Sequence, residues 1–304
     1  MEAAIRAIRR LLPVVAGIGL VCATAGAAAA QTLSSLTAAD VAALAPDVRA
    51  AAAIIYNPYT GDVLWESNSH AERSIASLTK LMTAVTFIAD APDLEREVVV
   101  AQSDVRRASV TYLRAGERIS LGDLLHLTLI ASDNGAARAL ARVSDGGTSA
   151  FIERMNTTAE RLGLTNTHYV DSSGLDARNV STAYDISHLI AYATMHPTLG
   201  PIMRSPDATV TSGRRTFKVR NTNRLLGTDV EVVGGKTGFI RRAGYCLATL
   251  LQVPQGSQLA VVVLGATNSA MRFNEVKTLF DWAVQRTSGL LAGAERAVDV
   301  ASRP

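Results

Sequence analysis

A serine and a lysine three residues apart, Ser77 and Lys80, stand at the start of an apolar segment. Leu81, Val85 and Ile88 recur there at helical spacing, so the two polar residues belong to the first turn of a buried helix. Side chains three residues apart share a helix face and can meet. A lysine whose pKa is lowered by burial can take the proton of a serine hydroxyl. The pair predicts covalent catalysis, with Ser77 as nucleophile and Lys80 as its base.

A second polar group, Ser132-Asp133-Asn134, interrupts the helical pattern between two apolar segments. Side chains in such a break can reach a cleft. In acyl transfer, Ser132 can relay a proton to the leaving amine, and Asn134 can grip a substrate amide because it both donates and accepts. Taken alone, this run is more typical of a plain loop between helices.

A third group, Lys236-Thr237-Gly238, lies on a predicted strand beside further glycines. Lys236 brings a positive charge that attracts an anionic substrate group and helps keep the first lysine neutral. The hydroxyl of Thr237 suits a carboxylate, and Gly238 lets the backbone approach the substrate closely. The backbone N–H groups of Ser77 and Phe239 are candidate donors to an oxyanion. Alone this group also fits a turn, but the three groups together favour an acyl-transfer site that needs no metal or cofactor.

Strand patterns occur at both ends of the chain, and helical patterns lie between them. We expect an α+β domain at about 31–290 with a C-terminal tail at 291–304. Its sheet segments fall at about 50–76 and 209–285, and an all-helical subdomain is inserted at about 81–208. The apolar run 259–264 predicts a central strand of the sheet.

Residues 1–30 have the pattern of an export signal, with a basic start, an apolar middle and small residues at the end. The alternative is an uncleaved membrane anchor, although the apolar run is only marginally long enough to span. The net charge of +3 includes three arginines and one glutamate of this segment. The remaining chain is nearly neutral, which argues against nucleic acid as a partner. One cysteine, Cys246, remains after cleavage, so no internal disulfide is expected.

These motifs resemble those of the low-molecular-mass penicillin-binding proteins, the serine-type D-alanyl-D-alanine carboxypeptidases and endopeptidases. The resemblance extends from about residue 54 to 282. It is carried by the segments 59–64, 75–83, 171–175, 221–226, 236–239, 244–247 and 272–275.

The resemblance implies a five-stranded antiparallel sheet flanked by helices, with the inserted helical subdomain between its parts. It implies a periplasmic enzyme without a stable membrane anchor after signal cleavage. Its substrates would be peptidoglycan stem peptides, cleaved through an acyl-enzyme on Ser77 that β-lactam antibiotics trap. It also implies that Arg272 helps to bind the substrate carboxylate.

The sequence departs from the family pattern in two places. Asp133 stands where many of the carboxypeptidases have glycine, and Arg241 and Arg242 follow the third motif where smaller or neutral residues are usual. A serine β-lactamase is the main alternative function. It would require a water-activating glutamate in a Glu-x-x-Leu-Asn pattern, which does not occur between Ser132 and Lys236. A non-catalytic binding protein is less favoured because Ser77 and Lys80 are both present.

Carboxypeptidase and endopeptidase action differ only in the leaving amine, and the three motifs serve both. The short stretch after Trp282 favours the endopeptidase type, since other branches of the family continue into a further domain and an amphipathic anchor.

Overall fold

The computed structural model describes residues 45–254 and 256–301. The predicted export signal at 1–30 lies outside the described residues. The strands are β1 (Ala52–Tyr56), β2 (Val63–Ser67), β3 (Arg73–Ser74), β4 (Glu97–Val99), β5 (Arg118–Ser120), β6 (Val180–Ser181), β7 (Asp207–Ser212), β8 (Arg215–Arg220), β9 (Val232–Ile240), β10 (Gly244–Gln252) and β11 (Gln258–Ala266). The helices are α1 (Thr79–Ala89), α2 (Gln102–Val105), α3 (Leu121–Leu129), α4 (Asn134–Val143), α5 (Gly147–Arg161), α6 (Ala183–Met195), α7 (Leu199–Arg204) and α8 (Met271–Ala301).

A five-stranded antiparallel sheet in the order β2-β1-β11-β10-β9 is built from the two ends of the described chain. The apolar run predicted to be central is strand β11, third of the five, and the expected sheet is confirmed. Strand β9, which carries the third motif, is an edge strand, so no further strand of this sheet pairs with its outer side.

Side chains alternate between the two faces of this sheet along each strand. Both faces are buried. Ile54 and Val262 are register partners on one face and pack with the helical region. Ile55 and Val261 are partners on the other face, where they pack in one cluster with Phe280 of helix α8. Helix α8 crosses the predicted domain boundary at about 290 and continues through 291–301 of the predicted tail.

The region between the two sheet segments is mainly helical, but the prediction that it is all-helical is wrong. A second sheet in the order β4-β5-β7-β8 lies within it, and β3 pairs with β6 in a two-stranded sheet. Strands β4 and β5 have three residues each, which is too short for a clear alternating pattern. Strands β7 and β8, predicted for the main sheet, pair within this second sheet instead.

Two helices begin at hydroxyl side chains that cap them. The hydroxyl of Ser120 accepts from the Asp123 N–H at 3.0 Å before α3, and the hydroxyl of Thr182 accepts from the Asp185 N–H at 3.0 Å before α6. In the part of the chain that the structure describes, no helix combines the length and apolar character needed to cross a membrane.

Candidate active site

Ser77 lies in a 3₁₀ turn, Ala76–Leu78, that leads directly into α1. The turn is held at both ends: Leu78 N–H donates to the Ile75 carbonyl at 3.2 Å, and the Thr79 hydroxyl donates to the Ala76 carbonyl at 2.8 Å. Ala76 has a left-handed φ of 50°, an unusual backbone conformation for a residue with a Cβ. Ser77 therefore precedes the helix instead of lying in its first turn, and its position is fixed by the surrounding backbone.

Lys80 is fully buried at the start of α1. Its Nζ donates to the Ser77 hydroxyl at 3.0 Å, to the side-chain oxygen of Asn134 at 2.7 Å, and to the carbonyl of Ser173. These three acceptors use the full donor capacity of an ammonium group. Burial lowers the pKa of Lys80 to about 7, although the carboxylates of Asp171 and Asp133 act in the opposite direction.

The second motif joins α3 to α4 through a residue in a strained conformation. Ser132 has a left-handed φ of 58°. Asp133 is buried and caps α4, because its carboxylate accepts from the N–H groups of Ala136 at 2.9 Å and Tyr112 at 2.6 Å. Burial raises the pKa of Asp133 despite these bonds. The departure from glycine at this position thus supplies a helix cap that also fixes the loop at Tyr112.

Asn134 links this motif to the buried lysine. Its side-chain oxygen accepts from Lys80, and its amide nitrogen donates to the carbonyl of Ala108 at 2.6 Å. One amide hydrogen therefore remains for a substrate, while the oxygen is already occupied. Asn134 both lines the cleft and positions the lysine.

Lys236 reaches across the cleft from β9 to the second motif. Its Nζ donates to the hydroxyl of Ser132 at 2.7 Å and to the carbonyl of Thr237 at 2.9 Å. Burial lowers the pKa of Lys236 well below its ordinary value, and the nearby cations Lys80 and Arg272 lower it further. An anionic group entering the cleft offsets that repulsion and favours the charged form. The Thr237 hydroxyl donates to that of Thr222 at 2.7 Å, which orients it at the cleft wall.

Gly238 lies directly against the nucleophile turn. A Cβ added at this position would be 2.9 Å from the Ile75 carbonyl oxygen and 3.2 Å from the Ser77 nitrogen. The glycine therefore allows β9 to approach the serine. Phe239, the next residue, lines the same cleft as Ser77.

Arg272, at the start of α8, packs behind the third motif. It is 8% exposed, and its Nη1 donates to the carbonyl of Gly238 at 3.2 Å and more weakly to that of Cys246 at 3.5 Å. Burial lowers the pKa of this guanidinium from its usual range. The arginine reaches the cleft and also supports the backbone of β9.

These elements enclose an open cleft of about 450 Å³. Phe239 is half-exposed at its edge and stacks on Tyr245 with ring centroids 4.2 Å apart. The residues lining the cleft include every predicted site residue except the two buried lysines. The lining residues are Ser77, Ser109, Val110, Ala131, Ser132, Asn134, Leu175, Thr222, Thr237, Gly238, Phe239, Ile240, Arg241 and Arg272.

A loop at 171–176 completes the site, and no role for it follows from the residue types alone. The carboxylate of Asp171 accepts from the N–H groups of Ser173, Gly174 and Asp176 at 2.5 to 2.7 Å. These hydrogen bonds hold the loop in the conformation in which the Ser173 carbonyl accepts from the Nζ of Lys80. Gly174, at φ 81°, packs so tightly that an added Cβ would lie 2.0 Å from the Ala76 oxygen. The sequence signal for this loop is the run of an aspartate, two serines and a glycine at 171–174.

Comparisons with known proteins agree with this geometry. The family described as D-alanyl-D-alanine carboxypeptidase matches residues 39–268. D-alanyl-D-alanine endopeptidase of Escherichia coli is 34% identical over 251 residues, which cover 81% of each chain. A D-alanyl-D-alanine carboxypeptidase of the same organism is 36% identical over 261 residues, covering 81% of this chain and 64% of that one.

The architecture matches solved structures as well. The crystal structure of the Streptomyces K15 DD-transpeptidase has a TM-score of 0.74 and 27% identity, over 78% of this chain and 97% of that one. Fold, cleft and sequence therefore agree. The chain belongs to the D-alanyl-D-alanine carboxypeptidase family of serine peptidases.

Proposed function

We propose that this protein is a serine DD-peptidase that hydrolyses the bond following D-alanine in peptidoglycan stem peptides. The observation that carries the proposal is the enclosed lysine: the Nζ of Lys80 is 3.0 Å from the Oγ of Ser77, and its pKa is lowered to about 7. A base with a pKa near the working pH combines a useful neutral fraction with a strong proton affinity.

Acylation follows from the contacts around these two residues. The Oγ of Ser77 attacks the carbonyl carbon of D-alanine, and its proton passes to Lys80. The N–H groups of Ser77 and Phe239 hold the oxyanion. When the C–N bond breaks, the leaving amine takes a proton from the hydroxyl of Ser132, and Lys236 replaces it. The proton held by Lys80 then returns to Lys236 through solvent, which leaves Lys80 neutral for deacylation. The hydroxyl of Ser132 is free to donate, since it already accepts from Lys236.

Deacylation uses the same groups in reverse. A water oxygen attacks the ester carbon, one water proton passes to neutral Lys80, and the ester bond to Ser77 breaks. Ser77 regains its proton, and the peptide leaves with a D-alanine carboxylate. An anionic group on the leaving amine is bound by Lys236, Thr237 and Arg272, whose charges and hydroxyl converge on that end of the cleft.

We propose the endopeptidase type, in which the leaving amine belongs to a cross-linking side chain. The support comes from relatives named D-alanyl-D-alanine endopeptidase in Escherichia coli, Pseudomonas aeruginosa and Haemophilus influenzae, which align over 81%, 78% and 83% of their lengths. The cleft is open and carries an exposed aromatic side chain, Phe239, at its edge, so a branched peptide can enter it.

β-Lactams acylate Ser77 by the same route and leave a long-lived adduct. A β-lactamase would have to activate water at the acyl-enzyme with a carboxylate. Asp171 is close enough to Lys80 to raise its pKa, but both of its oxygens already accept backbone N–H groups. This occupancy favours a peptidase.

We further propose that residues 1–30 are removed on export, that a domain at 31–290 acts in the periplasm, and that no membrane anchor remains. Intact mass of the protein recovered from the periplasm gives the first residue directly. A mass that begins at Gln31 supports this part of the proposal, and a retained leader contradicts it.

Digestion of purified muropeptides tests the enzymatic proposal. The mature protein is incubated separately with cross-linked dimers and with uncross-linked pentapeptide monomers. Conversion of dimers to monomers is expected, and it should be lost in Ser77→Ala. Release of D-alanine from monomers alone would assign a carboxypeptidase instead, and failure on both substrates would contradict the proposed function.

A further inference from the structure

The turn after the third motif carries two arginines that differ in their relation to the cleft. Ala243 N–H donates to the Ile240 carbonyl at 3.1 Å, so Arg241 and Arg242 are the central residues of the turn between β9 and β10. Both are exposed, and only Arg241 lines the cleft. Across the described ranges of the chain, neither guanidinium forms an ion pair.

The position of Arg241 along β9 relates it to the reacting bond. Gly238 marks the level of the nucleophile, because it packs against the backbone nitrogen of Ser77. Lys236, bonded to Ser132, lies two residues before that level, and Arg241 lies three residues after it. At about 3.3 Å per strand residue, Arg241 begins about 10 Å beyond the scissile carbonyl, away from Lys236.

This direction assigns Arg241 to the acyl-donor side of the substrate. The proposed function places the leaving amine beside Ser132 and Lys236, so the donor peptide must extend toward the turn. An extended peptide covers about 10 Å in about three residues. Arg241 therefore faces the part of the donor that lies two or three residues before the scissile bond.

The chemistry of the side chain defines what it can bind there. A guanidinium with no acidic partner matches a carboxylate, with which it forms paired charge-assisted hydrogen bonds. Arg272 is already assigned to the anionic group on the leaving-amine side, and its buried guanidinium donates to the carbonyl of Gly238. Arg241 is thus the outward-facing guanidinium on this wall of the cleft.

We propose that Arg241 is a specificity-determining residue that binds a free carboxylate on the acyl-donor stem peptide, two or three residues before the scissile bond. The inference rests on the proposed function, which fixes the direction of the donor. It predicts that donor peptides with free carboxylates at these positions are cleaved better than the same peptides with carboxamides there.

The test uses two synthetic cross-linked stem-peptide dimers that differ only in whether these carboxylates of the acyl-donor stem are free or amidated. We expect kcat/KM for the wild type to favour the free acid about three- to tenfold, the range for a partly solvated charge pair. Arg241→Gln should abolish this preference by slowing cleavage of the free acid alone. Arg242→Gln is the matched control and should keep it.

Three outcomes would overturn the inference: equal kcat/KM for both peptides in the wild type, an unchanged ratio in Arg241→Gln, or an equal loss on both peptides in that variant. Added salt should reduce the wild-type preference, since the pair is exposed. Cleavage of the amidated peptide by the wild type reports the proposed function separately, so its failure is distinguishable from failure of this inference.

Discussion

The Nζ of Lys236 lies 2.7 Å from the Oγ of Ser132, and Ser132 is held in the left-handed conformation at φ 58°. A serine in this conformation is under local strain. The strain persists because the two residues that follow Ser132 are fixed: the side chains of Asp133 and Asn134 bond to Tyr112 N–H and to Lys80. The relationship places a hydroxyl between a buried lysine and the cleft.

Two substitutions of Ser132 separate the effect of its hydroxyl on acylation from the effect of its backbone strain on stability. Ser132→Ala and Ser132→Gly both remove the hydroxyl, so both should acylate poorly. The glycine variant should nevertheless be the more stable of the two by about 1 kcal/mol, because glycine adopts the left-handed region without a Cβ penalty. Urea unfolding and the rate of benzylpenicillin acylation measure the two effects. Full acylation in either variant would remove Ser132 from the proposed proton relay.

The protonation of Lys80 should control acylation as a function of pH. Its pKa of about 7 means that the lysine is charged and inactive as a base below this value and neutral above it. The acylation rate should therefore rise with pH and reach half of its plateau near pH 7. The rate of benzylpenicillin adduct formation across this range is the measurement. A rate that is independent of pH would contradict Lys80 as the base.

Asp171 should tune that same pH profile without touching the substrate. Its negative charge raises the pKa of Lys80, so Asp171→Asn should lower that pKa and shift the rising limb to lower pH. The amide cannot accept all the backbone N–H groups that the carboxylate accepts, so stability should fall by about 1 to 3 kcal/mol. Lost stability with an unshifted limb would assign Asp171 a structural role only.

The close approach of Gly238 to Ser77 predicts a strong effect from a single methyl group. Gly238→Ala would place a Cβ 2.9 Å from the Ile75 oxygen, so either β9 or the turn that carries Ser77 must move. Acylation should slow by on the order of a hundredfold, since small displacements at a reacting centre are costly.

Gly122→Ala in α3 provides a control for this variant, because the atoms nearest its added Cβ belong to Leu94 and Ser120, which do not line the cleft. The control should retain the wild-type acylation rate. A Gly238→Ala variant that acylates at the wild-type rate would show that the contact does not position the serine.

Much of the main sheet and the grouping of the three motifs could be predicted because the signals are local. The central strand β11 depends on an apolar run of the right length, and the structure has it as expected. The motifs meet at one cleft because one begins a helix, one breaks two helices and one lies on an edge strand.

Other features carry no such signal. The Ser173 carbonyl that accepts from Lys80 is a backbone group, so the residue type does not predict this hydrogen bond. Strand β5 pairs with β7 through Ile119 and Ser212, residues far apart in the chain, and its three residues are too few for periodicity. The sequence predicts that Asn134 binds substrate. Its hydrogen bonds with Lys80 and the Ala108 carbonyl depend on tertiary packing, which the sequence does not show.

Intact mass after addition of benzylpenicillin tests the central claim most directly. Wild-type protein should gain one long-lived adduct, and Ser77→Ala, which leaves the turn and Lys80 in place, should gain none. An adduct on Ser77→Ala would contradict Ser77 as the nucleophile. Rapid drug turnover by the wild type without a lasting adduct would contradict the peptidase account and assign a β-lactamase.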